Sequence, residues 1–232
     1  MIKHMALVMD GNRRWARAQG FMPMRGHAEG VKTARKVVEF CLKKGIAHVS
    51  LYTFSIENFK RCAEEKSFLF GLLAKELSGD GVIGNLASKG VRIRFVGDRS
   101  LFPDVLREHC NRVEKETANN QKLTVNLLFC YGGRQEMVFS AQNIAKQVQN
   151  GTLKAEEITE STVVKNMWTN GTPDPDVVVR TGAAQRLSNF LLFQAAYSEL
   201  YFLDRMWPAV SDQDLEDVYQ DFTTKRQRRF GK

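Results

Sequence analysis

The chain of 232 residues has only four cysteines, Cys41, Cys62, Cys110 and Cys130, and none of them forms a Cys-x-x-Cys pair. A core of this size needs no disulfide staples and no zinc-ligand spacing appears, so they read as reduced thiols, three of them in apolar surroundings. No run approaches the roughly 18 consecutive apolar residues of a membrane-spanning helix. Met1-Ile-Lys-His precedes too short an apolar stretch for a secretory signal, which predicts a cytoplasmic protein. A Gly-x-x-x-x-Gly-Lys-Ser/Thr loop is missing, as is Gly-x-Gly-x-x-Gly after a strand, which argues against nucleotide triphosphate hydrolysis and dinucleotide chemistry. No Gly-x-Ser-x-Gly elbow occurs either.

Charge, by contrast, is plentiful and unbalanced. The formal net charge is +8 and the pI about 9.4, with 43% hydrophobic and 26% charged residues. That composition is globular, and the excess of cations predicts an anionic partner: a phosphate-bearing substrate, a nucleic acid or an acidic membrane surface. No basic recognition helix or aromatic-basic RNA motif is recognisable, so no nucleic-acid partner is expected.

Strand-like and helical patterns alternate along the whole chain. Residues 4–9, 47–54, 91–96, 123–129 and 176–180 read as strands, and 28–44, 64–77, 101–118, 133–149 and 212–228 as helices. Strands separated by helices imply parallel pairing through right-handed crossovers. The expectation is an α/β fold, a single domain over residues 1–232, with a mostly parallel central sheet flanked by helices. Ligands of such sheets bind beyond the carboxyl ends of the strands. Asp10-Gly11-Asn12, Ser55-Ile56-Glu57-Asn58, Gly97-Asp98, Tyr131-Gly-Gly-Arg134 and Arg180-Thr-Gly all fall at that rim.

Several of these segments can do chemistry. In Asp10-Gly11-Asn12-Arg13-Arg14-Trp15, a helix starting near Asn12 would offer free N–H groups to an anion, Gly11 close backbone approach, and the arginines forked donors for phosphate oxygens. Asp10 would repel a phosphate unless Mg²⁺ sat between them; alternatively it is an N-cap beside surface arginines. Ser55, Asn58 and Arg61 either position a ligand or form a polar loop with an Asx turn. Arg180, Arg186 and Ser188 could converge on one phosphate group. Glu199 lies among aromatic residues, where an acid needs a metal or an arginine as partner. The basic cluster 225–232 reads either as a solvated tail or as a functional one. The apolar face of the helix 64–77, with the strand 123–129, is a candidate wall for a hydrophobic tunnel or simply core.

Five ordered stretches together resemble the cis-prenyltransferase family, the undecaprenyl diphosphate synthase type: Met9-Asp-Gly-Asn-Arg-Arg-Trp15, Gly26-His27, Phe54-Ser-Ile-Glu-Asn-Phe-Lys-Arg61, Tyr131-Gly-Gly-Arg134, and Arg180-Thr-Gly with Arg186-Leu-Ser-Asn-Phe-Leu-Leu192. The acid cluster Asp-Asp-x-x-Asp of trans-type enzymes is absent. The resemblance implies a Mg²⁺-dependent enzyme that condenses an allylic diphosphate, typically farnesyl, with successive isopentenyl diphosphates, forming cis double bonds and a lipid carrier for cell-wall synthesis. It implies that Asp10 binds the metal and that Gly11, Asn12, Arg13 and Arg14 cradle the allylic diphosphate, with Trp15 beside it. His27 and Arg61 would assist, and Ser55, Ile56, Glu57 and Phe59 would line the pocket. Arg180, Arg186, Leu187 and Ser188 would hold isopentenyl diphosphate, Glu199 would be the second metal ligand and Asn58 the proton acceptor. A homodimer is implied, with Arg229 of the Arg-x-Gly ending reaching the partner's site, and peripheral membrane contact would serve product release.

Some positions depart from that pattern. Pro23 stands where relatives often carry arginine, with Arg25 as a nearby substitute. Ala183-Ala184 replaces Gly-Glu, Cys130 replaces asparagine, and Cys62 replaces proline. A short-chain synthase and a non-catalytic partner subunit are the rival expectations. Such subunits tend to lose the Asp-Gly-Asn segment, which this chain keeps.

Overall fold

The structure, a computed structural model, describes residues 1–78 and 81–225. Its elements run β1 (His4–Val8), α1 (Asn12–Ala18), α2 (Pro23–Lys44), β2 (His48–Ser55), α3 (Ala63–Glu76), α4 (Val82–Ser88), β3 (Val91–Val96), α5 (Asp104–Thr117), β4 (Leu123–Tyr131), α6 (Gly133–Gln149), α7 (Glu160–Lys165), β5 (Val177–Arg180), β6 (Glu199–Phe202) and α8 (Asp212–Thr224). The six strands form one sheet in the order β3-β4-β2-β1-β5-β6, and every neighbouring pair is parallel. The expected single-domain α/β architecture is therefore present.

Alternation along the strands divides the interior into two layers. Met5, Leu7, Val49, Leu51, Ile93, Phe95, Val125, Leu127, Val177 and Val179 enter the larger core, together with residues of α2, α5 and α8. Ala6, Val8, Leu128 and Val178 point to the other face, where Tyr131, Phe190 and Leu191 cover them. All five residues of β1 are buried, as a central strand covered on both faces requires.

Local chemistry sets the boundaries that matter for the site. Helix α2 starts at Pro23, five residues before the apolar period begins, because proline's fixed φ suits a first helical position; it stops at Gly45 in the left-handed region. Two glycines in α2 let α1 pack tightly against it. A Cβ on Gly26 would lie 2.0 Å from the Asn12 carbonyl oxygen, and one on Gly30 would lie 2.4 Å from Asn12 Oδ1. The helix expected over 101–118 begins only at Asp104, since Pro103 ends a 3-10 turn at Arg99–Leu101. Helices α4 and α7 and the strand β6 were not legible in the sequence. Each spans seven residues or fewer, too short for its period to stand out.

A buried polar chain ties the amino-terminal ends of the strands together. The His4 ring meets the Pro173 carbonyl at 2.7 Å and Ser50 Oγ at 2.8 Å, and Asn126 Nδ2 donates to the same Ser50 oxygen. Burial, with the nearby His48 adding to it, pulls the His4 pKa from 6.5 to about 4, against the opposing pull of Pro173 and Asp176. The unfolded chain therefore binds a proton between these values that the folded chain does not. The resulting stability is full above pH 6.5 and is lost as pH falls toward 4, in total about 3 kcal/mol. Urea unfolding at pH 7 and pH 4.5 should show this slope, and His4→Gln should flatten it. An unchanged slope in the variant would remove His4 from the account.

Candidate active site

Strands β1 and β5 are neighbours, with Val8 opposite Arg180. From this pair the chain is wound outward in opposite directions, to β2 on one side and β6 on the other. Such a reversal leaves a crevice at the carboxyl ends. Asp10 lies two residues past β1 and Arg180 is the last residue of β5, so the two meet there: Arg180 Nη2 is 3.0 Å from Asp10 Oδ2. Arg180 is buried, its side chain 5% exposed. Its Nη1 donates to the Arg186 carbonyl and to Ser188 Oγ, both at 2.6 Å, while its Nε has no partner. A guanidinium so deep needs a counter-charge, and Asp10 supplies it. Arg14 approaches the other carboxylate oxygen at 3.4 Å and donates to the Gly182 carbonyl at 2.8 Å.

Asp10 is not a helix cap. Gly11 occupies the N-cap of α1 with φ 106°, in the left-handed region, and a Cβ there would come within 2.9 Å of Met206. The Asp10 carboxylate, 32% exposed, remains turned toward the crevice. Asn12 donates to the Met9 carbonyl at 3.1 Å, which braces the turn, while its Oδ1 is buried without a partner.

A second carboxylate, unnoticed in the sequence, organises the cations. Glu65, buried in the first turn of α3, receives Arg61 Nη1 at 2.8 Å, His27 Nε2 at 3.2 Å and Arg13 Nη1 at 3.5 Å. Three groups from three separate elements are thus held by one acid. Burial, reinforced by the charge of Arg61, lowers the His27 pKa below its usual value, against the pull of Glu65. The only sequence signal was its spacing of four from Arg61, which an acid in a first helical turn also satisfies for dipole reasons.

Residues Ile56–Lys60 form a 3-10 turn in which the Ser55 N–H donates to Asn58 Oδ1 at 3.2 Å. Glu57 accepts from Asn189 Nδ2 at 2.7 Å, and Asn189 Oδ1 accepts from the Arg134 N–H at 2.8 Å. Asn189, with φ 65°, therefore joins the loop after β2 to the loop after β5 and to the start of α6.

Behind this polar rim lies a cavity of about 660 Å³. Asp10, Asn12, His27, Ser55, Glu57, Asn58, Arg61, Arg180 and Ser188 line its polar end, and Leu51, Ile93, Val125, Leu127 and Phe129 line the sheet side. Leu69, Leu72 and Leu73 of α3 and Leu86 of α4 form the opposite wall. Helix α3 has a single buried residue, Glu65; Leu69, Leu72 and Leu73 are half-buried along this space, while Phe70 packs on Phe54 and Phe129. A polar hollow of about 330 Å³, lined by Asp10, Gly11, Arg13, Arg14, His27 and Arg61 among others, adjoins the mouth.

Other expected residues lie elsewhere. Trp15 packs on Phe21 and Phe59 on Phe54, and neither they nor Ile56 line the cavity. Leu187 joins the apolar cluster on the far face of the sheet. Arg186 contributes its carbonyl to Arg180 while its side chain is exposed. Glu199 opens β6 in register with Val177, three residues before Arg180. At about 3.3 Å per residue, it stands near the opposite end of the strand from Asp10, so within one chain the two do not share a metal. Asn58 has its oxygen engaged by a backbone N–H, which argues against its serving as a free proton acceptor. Arg229 lies outside the described residues. Cys130, at φ 51°, is buried with its thiol pushed up to about 12, and is inert packing; Cys62 is exposed beside Arg61. Ala183 adopts φ 64°, its N–H on the Leu203 carbonyl.

An apolar cavity with an array of guanidinium groups at its mouth, and the Asp10 carboxylate held among them, defines an enzyme for a substrate with a polyanionic head and a long hydrocarbon tail. The family described as "Putative undecaprenyl diphosphate synthase" matches residues 8–231. Ditrans,polycis-undecaprenyl-diphosphate synthases specific for (2E,6E)-farnesyl diphosphate are similar throughout. That of Xylella fastidiosa is 43% identical, over 99% of this chain and 89% of its own, and that of Escherichia coli 41% over the same shares. Lavandulyl diphosphate synthase of Lavandula x intermedia, solved with dimethylallyl diphosphate, superposes with a TM-score of 0.95 at 30% identity, covering 100% of this chain and 98% of its own. A probable undecaprenyl diphosphate synthase of Campylobacter jejuni gives 0.81 at 35%, covering 100% and 99%. The chain belongs to the undecaprenyl diphosphate synthase family of cis-prenyltransferases.

Proposed function

We propose that the protein elongates farnesyl diphosphate with successive isopentenyl diphosphates to an undecaprenyl-length product. The observation that carries this reading is the Asp10–Arg180 pair at the mouth of one apolar cavity, with Arg13, Arg14, His27 and Arg61 grouped beside it. Gly11, Asn12, Arg13, Arg14, His27 and Arg61 hold the allylic diphosphate. Arg180 and Ser188 hold isopentenyl diphosphate, and the cavity takes the growing chain.

Magnesium fits the residues present. Among the described residues there is no cluster of three acidic, histidine or cysteine ligands, but one carboxylate beside a phosphate site matches a cation that keeps most of its ligands from water and phosphate oxygens. Asp10 is that carboxylate; Glu199 is not assigned to it. When bound, the ion offsets charge on the leaving diphosphate.

The allylic C–O bond breaks with its electron pair on the diphosphate, and the forked donors stabilise that charge in place. The terminal alkene carbon of isopentenyl diphosphate bonds to the allylic carbon. A proton then leaves the neighbouring methylene for a diphosphate oxygen, while Asn58 and Glu57 shape the loop around it.

Glu65 keeps Arg13, His27 and Arg61 in position before substrate arrives. Glu65→Gln keeps an acceptor but loses the charge, and should raise the KM for the allylic substrate about tenfold, leaving that for isopentenyl diphosphate unchanged. Equal shifts in both would contradict this division.

The same reading includes a homodimer. The exposed side chains of Met137, Val138 and Phe139 on α6, and of Tyr197 (71% exposed) and Leu200 (44%) at the β6 edge, supply apolar surface for it. In such a dimer Arg229 would reach the partner's site. Among the described residues no helix is long and apolar enough to cross a membrane; exposed Phe21 and Met22, between α1 and α2, offer a peripheral contact for product release from a cytoplasmic enzyme.

The backbone match to lavandulyl diphosphate synthase favours a second reading, a short product. Incubation with farnesyl diphosphate, labelled isopentenyl diphosphate and Mg²⁺, followed by chromatography of the product, decides between them. Long polyprenyl product supports the first reading, a product shortened to one or two additions the second, and unincorporated label sinks both.

A further inference from the structure

Among the described residues, the cations at the mouth are matched to carboxylates with one exception. Arg13, His27 and Arg61 meet Glu65, and Arg14 meets Asp10. Arg17 lines the same polar hollow, and among the described residues it has no ion-pair or side-chain hydrogen-bond partner. It stands one turn along α1, four residues from Arg13 and three from Arg14, so the three arginines crowd a helix of seven residues that has no acid in its first turn. Like charges at these spacings destabilise a helix, and an anion bound among them removes that cost. Arg25, the arginine nearest in sequence to Pro23, is used differently. It pairs with Glu29 at 3.3 Å, lies over the Phe21 ring at 5.3 Å, and does not line the hollow.

We propose that Arg17 is a further binding residue for the allylic diphosphate, using the one guanidinium of the hollow that no described carboxylate engages. The chemistry fits: a guanidinium with no carboxylate to satisfy keeps its forked donors available for phosphate oxygens. The hollow it lines is continuous in its residues with the cavity mouth, sharing Met9, Asp10, Asn12, His27 and Arg61. The contact falls on the diphosphate held by α1 and not on that held by Arg180. The inference rests on the function proposed above for the choice of substrate, but not for the binding of a diphosphate.

The test is calorimetric titration of the full chain with inorganic pyrophosphate and with unreactive farnesyl thiolodiphosphate, in the presence of Mg²⁺. Arg17→Ala should weaken both about tenfold, Arg17→Lys should recover part of the loss, and Arg25→Ala should bind as the unaltered protein does. In steady-state kinetics Arg17→Ala should raise the KM for the allylic diphosphate alone. Unchanged affinity in Arg17→Ala, or an equal loss in Arg25→Ala, overturns the assignment. A lowered thermal midpoint with unchanged affinity would mean that Arg17 only serves the carboxyl end of α1. If pyrophosphate binding depends on Arg17 but no prenyl transfer is detected, the proposed function fails and this inference stands.

Discussion

Asp10→Asn is expected to lower kcat about a thousandfold while leaving the folded structure in place. Asparagine keeps an acceptor for Arg180 Nη2, now 3.0 Å from Asp10 Oδ2, but loses the charge that, on the proposed function, would hold a divalent cation beside the leaving diphosphate. A thousandfold is about 4 kcal/mol of transition-state stabilisation, the size expected when one preorganised electrostatic contact is removed. Asp10→Ala should be as inactive and also less stable, by about 1–3 kcal/mol, because it leaves the buried Arg180 guanidinium without its counter-charge. Single-turnover rates and thermal midpoints for both variants separate the two effects. Retention of more than a third of kcat in Asp10→Asn would remove the metal role.

Arg180→Met should raise the KM for isopentenyl diphosphate at least a hundredfold and leave the allylic KM within about threefold. The basis is the fork itself: Nη1 holds the Arg186 carbonyl and Ser188 Oγ while Nη2 holds Asp10. Truncating a buried, hydrogen-bonded charge costs about 2–5 kcal/mol. Arg180→Lys should fare little better, because one ammonium cannot span acceptors on both sides of a planar fork. Ser188, at φ 52°, is held in an unfavourable backbone region by these bonds, so the loop should also lose protection from hydrogen exchange. Equal loss for both substrates would mean that Arg180 serves the fold and not one diphosphate.

Much of the site was legible because its chemistry is local in sequence. Asp10 through Arg14, and Arg180 through Ser188, each place an acid or cation, a turn residue and a strand end within a few positions. The parallel sheet followed from alternating periods. What escaped depends on tertiary geometry. Glu65 looks like any acid in a first helical turn until His27 and Arg13 arrive from elsewhere. Glu199 reads as buried near the second cradle, but its distance from Asp10 is set by the register of a four-residue edge strand that no period announces. Arg186 and Leu187 share a motif with Ser188, yet successive residues at left-handed φ from Ser188 to Asn189 turn the chain sharply, and side chains in such a turn diverge. The tunnel wall was ambiguous for a different reason. Apolar residues lining a cavity and apolar residues facing a core have the same composition, and only the half-buried state of Leu69, Leu72 and Leu73 separates them.

On the proposed function, one chain holds two diphosphates at once, on either side of the Asp10–Arg180 pair. Calorimetric titration with farnesyl thiolodiphosphate and isopentenyl diphosphate, singly and in sequence with Mg²⁺ present, tests it directly. One equivalent of each should bind per chain, both together, with Arg180→Met losing only the isopentenyl site. Mutual displacement of the two ligands, or a total of one diphosphate per chain, would contradict it.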